Sequence, residues 1–273
     1  MPELPEVETI IRELKSVLIG KKFASLNVKV DSIFLPSAKD VTAKIKNLKI
    51  LDIQRRGKFI VLVLDKKMRL VIHLRMTGRL LWNMSDGREK FICGVFSFTD
   101  GTSLIYSDVR KFGKIWLYNE KDYEQATGIK RLGIEPFDSR FSLEYFLDLF
   151  ADKKGILKNT LLRQDIIAGI GNIYADEVCF KSRLNPKSRL EKLKKADYIK
   201  LYLAIISCLE EGINHNGTSV SDFVGTRGTL GKHQHYLQVY GRKGDPCYVC
   251  KNPIKKTVVA GRGTFYCENC QKL

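Results

Sequence analysis

The stretch KILDIQRRGKFIVLVLDKKMRLVIHL, residues 49–74, holds three apolar runs: Lys49–Gln54, Phe59–Leu64 and Leu70–Leu74. Rich in Ile, Val and Leu, they read as strands. Similar runs follow at Val95–Phe98, Leu104–Tyr106 and Ile115–Tyr118, with Asp100 and Gly101 between two of them as a hairpin signal. Many short strands without intervening helices predict an antiparallel β-sandwich rather than a βαβ sheet. Upstream, Val7, Ile10, Ile11, Leu14, Val17 and Leu18 repeat at helical spacing until Gly20, which predicts one flanking helix. Downstream, Gly133, Pro136 and Asp138 mark a linker, and the pattern turns helical through 146–150, 157–162 and about 196–211. The Gly-, Ser- and Thr-rich segment Gly217–Gly231 predicts a mobile loop. The fold class is α+β.

At 273 residues, two domains are a better expectation than one. The expected organisation is a β-sandwich domain over 1–132, a linker over 133–140, a helical domain over 141–237 and a metal-binding ribbon over 238–273. Forty-seven Lys+Arg against thirty Asp+Glu give a net charge of +17, a surface suited to a polyanion, and nucleic acid is the expected partner. No apolar run reaches the length of a membrane span. The N-terminus is acidic where a secretory signal is basic, so the expected location is the cytoplasm.

Seven cysteines divide into two groups. Cys93, Cys179 and Cys208 lie scattered in apolar stretches as small buried hydrophobes. Cys247, Cys250, Cys267 and Cys270 form two C-x-x-C pairs, sixteen residues apart, which predict one tetrahedral Zn²⁺ site. With four thiolates that zinc has no open position, so its role is structural. Between the pairs, Gly261, Arg262 and Gly263 read as a turn that pushes a guanidinium outward, where it suits a phosphate.

The other end of the chain carries a reactive group. Removal of Met1 would leave Pro2 as an N-terminal secondary amine, able to attack a sugar C1′ and form an iminium. The opening Pro2-Glu3-Leu4-Pro5-Glu6-Val7-Glu8 together with the closing four-cysteine site resembles the formamidopyrimidine-DNA glycosylases, over essentially the whole chain. The resemblance implies an N-terminal β-sandwich and a helix-two-turns-helix domain ending in a zinc-ribbon hairpin. It makes Pro2 the nucleophile, Glu3 the proton-transfer group and Glu6 a supporting carboxylate. Lys58, at the mouth of a strand, contacts the lesion nucleotide and serves base release; edge protection is its bland alternative. His73 becomes a phosphate contact, although a lone strand histidine is more often structural. Met76 and Phe112 become wedges filling the gap of a flipped nucleotide, and Arg110 pairs with the orphaned base; without the resemblance, Met76 and Phe112 would be core. Gly169–Asn172, which lacks the third glycine of a dinucleotide loop, becomes the turn of the helix-two-turns-helix motif, with Asn172 on a phosphate. Lys154 and Lys158 match basic DNA-contact positions, or form a solvated charged face. Arg262 is assigned to the phosphates beside the lesion.

The sequence departs from the family pattern at Phe91, where a DNA-contacting His is usual, and at Arg163, where an acidic residue is usual. The function expected is a bifunctional glycosylase and abasic-site lyase for oxidised purines, with one structural zinc, damaged duplex DNA as partner and a monomeric state beside the nucleoid. The rivals are an endonuclease VIII-like enzyme for oxidised pyrimidines and a non-catalytic zinc-ribbon DNA-binding protein.

Overall fold

The computed structural model describes residues 1–84, 87, 89–220 and 223–273. They pack as two units: Met1–Arg131 with His215–Gln234, and Leu132–Asn214 with His235–Leu273. Segment 215–234, placed by composition in a helical domain ending at 237, therefore belongs with the first unit. Its Gly/Thr content marks a loop but does not say which neighbour satisfies its backbone.

The first unit runs α1 (Leu4–Leu18), β1 (Phe23–Val28), β2 (Phe34–Leu35), α2 (Ala38–Ile45), β3 (Ile50–Arg56), β4 (Phe59–Leu64), β5 (Met68–His73), β6 (Gly78–Trp82), β7 (Ile92–Phe98), β8 (Ser103–Asp108), β9 (Lys114–Asn119) and α3 (Tyr123–Thr127). Two sheets form, ordered β2-β9-β5-β4-β3 and β1-β7-β8-β6. All pairings are antiparallel except the two-residue β2–β9 contact. β4 lies between β3 and β5, which explains its unbroken apolar sequence. Ile60, Leu62 and Leu64 from β4 share one core with Val7, Ile10, Leu14 and Leu18 from α1 and with Phe23, Phe96 and Leu104 from the other sheet. Gly20, at φ +88°, ends α1 in the left-handed conformation open to glycine.

Several short elements had too little periodic signal to be expected. β1 includes Ala24, Ser25 and Asn27, and β6 opens on Gly78 and Arg79. α2 is short, its buried side being only Val41 and Ile45, and its clearest mark is Ser37, whose hydroxyl caps the amide of Asp40.

The second unit holds α4 (Leu143–Phe150), α5 (Leu157–Leu161), α6 (Asn172–Lys181), α7 (Lys195–Asn214) and a hairpin of β10 (Lys255–Val259) and β11 (Arg262–Tyr266). Phe141, Phe146, Phe150, Tyr198 and Tyr202 pack ring against ring around α4 and α7. α6 meets α7 at Gly212, where a Cβ would come within 2.4 Å of the Tyr174 hydroxyl. Buried Glu177 on α6 accepts the amides of Gln238, Val239 and Tyr240 at 2.8–3.0 Å, which fixes the chain leading into the C-terminal ribbon. No helix among the described residues is long and apolar enough to cross a membrane.

Candidate functional site

Pro2, Glu3 and Glu6 are all buried at the start of α1. Glu3 is the N-cap residue, and Glu6, three positions on, reaches back to accept the Glu3 amide at 2.7 Å. The other oxygen of Glu6 accepts the amide of Thr218 at 2.8 Å. One carboxylate thus fixes the peptide beside Pro2 and the beginning of the 217–231 loop. Glu8 accepts from Arg55 Nε at 2.9 Å, pinning α1 to the β3–β4 hairpin. Burial acts to raise the Glu8 carboxyl, but Arg55 and Arg12 outweigh it and hold the group below its ordinary range.

That hairpin turns on two residues, Gly57 and Lys58, because Arg56 pairs with Phe59. Gly57 takes φ +57°, which glycine adopts without strain. Lys58 is buried. In the next register position Phe59 faces His73, their rings edge to face at 4.5 Å. Burial first, then the charges of Arg75 and Lys58, lower the His73 pKa to about 3. His73 is therefore neutral at physiological pH. Its Nδ1 accepts the Arg75 amide at 3.0 Å, which leaves Nε2 carrying the proton as a hydrogen-bond donor.

Met76 is half-buried, Arg110 is exposed, and Phe112 is 52% exposed. The Arg110 guanidinium lies 4.6 Å over the Phe112 ring. Sequence reasoning gave no role to the residue that organises them, Asp108, which is fully buried. Its Oδ1 accepts from the Thr77 hydroxyl at 2.5 Å and the Arg110 amide at 3.1 Å, and its Oδ2 accepts the Gly113 amide at 2.8 Å. Both ends of the 108–113 loop are therefore tied to one carboxylate. Gly113 must be glycine, since a Cβ there would lie 1.6 Å from the Tyr106 hydroxyl. The available signal was an Asp at a strand end, two residues before an amide it can bind. Phe112→Ala should change stability by less than ~1 kcal/mol, against ~3–5 kcal/mol for a buried Phe. Chemical denaturation beside a lesion-excision assay checks this: excision should fall while the unfolding midpoint holds.

In the second unit the turn before α6 delivers Asn172, whose side-chain amide donates to the Gly263 carbonyl at 3.0 Å. Lys158 corrects the sequence reading. It is fully buried, 2.7 Å from Asp176, and donates to the Gly263 carbonyl at 3.1 Å and the Thr264 hydroxyl at 2.8 Å. No surface of it remains for a phosphate or for solvent. Asp176 in turn accepts the Phe265 amide at 2.9 Å. α5 and α6 thereby grip three successive residues of β11, next to exposed Arg262. The hairpin turn itself is Ala260 and Gly261, at φ +48° and +71°, so Arg262 opens β11 rather than sitting in the turn. Lys154 is exposed on the loop before α5. Of the two departures, half-buried Phe91 offers its ring to Lys90 at 5.0 Å, and exposed Arg163 is paired with Asp165 at 2.6 Å.

The sulfurs of Cys247, Cys250, Cys267 and Cys270 all lie within 4.8 Å of one another. Cys250–Cys267 and Cys247–Cys270 are 3.3 and 3.9 Å apart, too long for disulfides. Four sulfurs at ~2.3 Å from one tetrahedral Zn²⁺ would be ~3.8 Å apart, so the set fits that ion. Cys247 and Cys267 also pack with Phe180 of α6, Val239 and Ile254, which docks the ribbon on the helix.

Three family models cover most of the chain: the formamidopyrimidine-DNA glycosylase N-terminal domain at residues 1–115, the H2TH domain of the same enzymes at 132–224, and a zinc finger found in FPG and IleRS at 244–273. A formamidopyrimidine-DNA glycosylase of Shouchella clausii is 42% identical, with 99% of each chain covered. One from Pelotomaculum thermopropionicum is 39% identical over 100% of both. A mutant Lactococcus lactis Fpg, crystallised with Fapy-dG-containing DNA, superposes with a TM-score of 0.93 at 34% identity, over 100% of both chains. A Lactococcus lactis Fpg in complex with abasic-site-containing DNA gives 0.92 at 34% identity, over 99% of this chain and 100% of that one. Matching domains in the same order, and relatives of this identity over full length, lead to one conclusion: this chain belongs to the formamidopyrimidine-DNA glycosylase family.

Proposed function

We propose that this protein removes oxidised purines, 8-oxoguanine and formamidopyrimidines, from duplex DNA and then cuts the strand at the abasic site. The observation that carries the reading is the buried start of α1, where Pro2 lies next to Glu3 and the Glu3 amide is held by Glu6. With Met1 removed, the Pro2 nitrogen lone pair attacks C1′ of the flipped nucleotide, and the glycosidic bond breaks with its electron pair leaving on the base. Glu3 moves protons at the sugar: it protonates the ring oxygen as the ring opens, and an iminium links Pro2 to C1′. Loss of a C2′ proton then expels the 3′ phosphate, and a second elimination expels the 5′ phosphate. Water finally releases the Pro2 amine.

The remaining assignments follow the chemistry of each group. Lys58 and the neutral Nε2–H of His73 face the lesion nucleotide and its phosphates. Met76 and Phe112 occupy the space the nucleotide leaves, and Arg110 bonds the orphaned base. Arg262 and the Asn172 turn hold phosphate, and exposed Lys154 adds positive charge to the same unit. Zn²⁺ on Cys247, Cys250, Cys267 and Cys270 keeps the ribbon folded and takes no part in the reaction. Chromosomal DNA as substrate places the protein in the cytoplasm, at the nucleoid, and the reaction needs only one copy of the chain.

The test is a product analysis. Duplex containing 8-oxoguanine opposite cytosine should yield a one-nucleotide gap bounded by two phosphates, and should compete well against duplex carrying an oxidised pyrimidine. An intact strand with its damaged base still attached would leave only DNA binding. Preference for the pyrimidine would transfer the protein to the endonuclease VIII-like reading.

A further inference from the structure

The two cysteine knuckles share a backbone pattern and differ in the residue that follows the second cysteine. In the first, the Lys251 amide donates to the Cys247 carbonyl at 2.9 Å; in the second, the Gln271 amide donates to the Cys267 carbonyl at 3.0 Å. Lys251 is exposed, whereas Gln271 at the matching position is fully buried. A glutamine wholly out of reach of water is unusual and has to find a partner for its polar atoms.

Gln271 finds them on both sides of the knuckle. Its Oε1 accepts the Cys267 amide at 2.8 Å, and its Nε2 donates to the Leu184 carbonyl at 2.9 Å. The Gln271 carbonyl accepts from Nδ2 of Asn185, itself buried, at 2.8 Å. In the first knuckle the corresponding cysteine amide, that of Cys247, is taken by a main-chain carbonyl, Asn252, at 2.8 Å. Gln271 thus supplies from its side chain the acceptor that Asn252 supplies from its backbone. The other end of the same side chain fastens the knuckle to the segment just beyond α6. Because Cys267 directly follows β11, these bonds also fix the end of the strand that opens on Arg262.

We propose that Gln271 is a positioning residue of the zinc site: its side-chain amide sets the orientation of Cys267 toward the ion and ties the second knuckle to residues 184–185. The role rests on the zinc assignment. A group that holds a metal ligand from behind keeps it in the geometry the ion requires, and its loss weakens metal binding by about 10–100-fold. Asn185 holds the same segment without touching a ligand, so the two residues separate orientation of Cys267 from docking of the ribbon.

Transfer of zinc from the loaded full-length protein to an excess of a colorimetric chelating dye tests it, with the absorption of cobalt-substituted protein as a second reading. Gln271→Met, which keeps the reach of the side chain and removes its polar atoms, should release zinc about tenfold faster and shift the thiolate-to-cobalt bands. Asn185→Ala leaves the Cys267 amide on Oε1, so zinc release should stay within about twofold of the wild type and the cobalt bands should not move. If Gln271→Met does not fold, Gln271→Asn, one methylene too short to reach both Cys267 and Leu184, makes the same comparison, with release about threefold faster. Zinc release at the wild-type rate in the Gln271 variant, or equal acceleration in the Gln271 and Asn185 variants, would overturn the role given to Gln271. Wild-type protein that yields no zinc to the dye would instead overturn the zinc assignment.

Discussion

Glu3→Gln should bind lesion-containing duplex as tightly as the wild type and release the damaged base about 10²–10⁴-fold more slowly. The substitution keeps the size and the N-cap position of the side chain, and Glu6 still holds the residue-3 amide. What it removes is the ability to carry a proton to the opening sugar, and general acid–base groups contribute rate factors of that order. Because Glu3 is buried, water has little access to take over the transfer. Single-turnover excision kinetics with a parallel binding isotherm check the expectation. Loss of binding together with rate would make Glu3 a structural cap rather than a catalytic residue.

Lys158→Met should cost about 3–5 kcal/mol, because it leaves the Asp176 carboxylate buried without its counter-charge. Both side chains of this pair are fully buried, 2.7 Å apart. Burial already acts to raise the Asp176 carboxyl above its ordinary range, with Lys158 and the Phe265 amide opposing it. The same change strips donors from Gly263 and Thr264, so β11 and Arg262 lose their seat on α5 and α6. Replacing Asp176 by Leu as well should restore part of the loss, since a pair of apolar residues leaves no orphaned charge. Denaturant unfolding of the wild type, the Lys158→Met and Asp176→Leu single variants and the double variant measures this. A solvated lysine on a DNA-binding face would behave differently: stability unchanged, and the salt dependence of DNA affinity flatter by about one contact.

The contrast shows where sequence reasoning succeeds and where it stops. The strand runs of 49–74, the α1 periodicity and the cysteine spacing are local patterns imposed by burial period or ligand geometry, and they were legible. β4 came out residue for residue because it is central and wholly apolar. Short elements such as α2 bury too few residues to leave a period. Lys158 shows a deeper limit. A lysine buried against an aspartate eighteen positions away reads the same as a lysine in water, because the partner is supplied by tertiary packing. Asp108 escaped because two of its partners are the nearby backbone amides of Arg110 and Gly113, which any residue at those positions would supply. The candidate groups Pro2, Glu3 and the four cysteines were read from residue type and position, whereas the role expected of Lys58 came from the family resemblance alone. The groups that position them had to be found in the fold.

The central claim is that the Pro2 nitrogen forms the covalent bond to DNA, and borohydride trapping tests it most directly. While Met1 remains, that nitrogen is a tertiary amide whose lone pair is delocalised into the carbonyl, so it cannot attack C1′. Protein with Met1 removed, mixed with 8-oxoguanine duplex and borohydride, should give a stable protein–DNA adduct whose linked peptide begins at Pro2. Protein with a blocked N-terminus should bind the same duplex and give no adduct. Undiminished trapping in the blocked protein would contradict the account and move the nucleophile to a lysine, with Lys58 the first to examine.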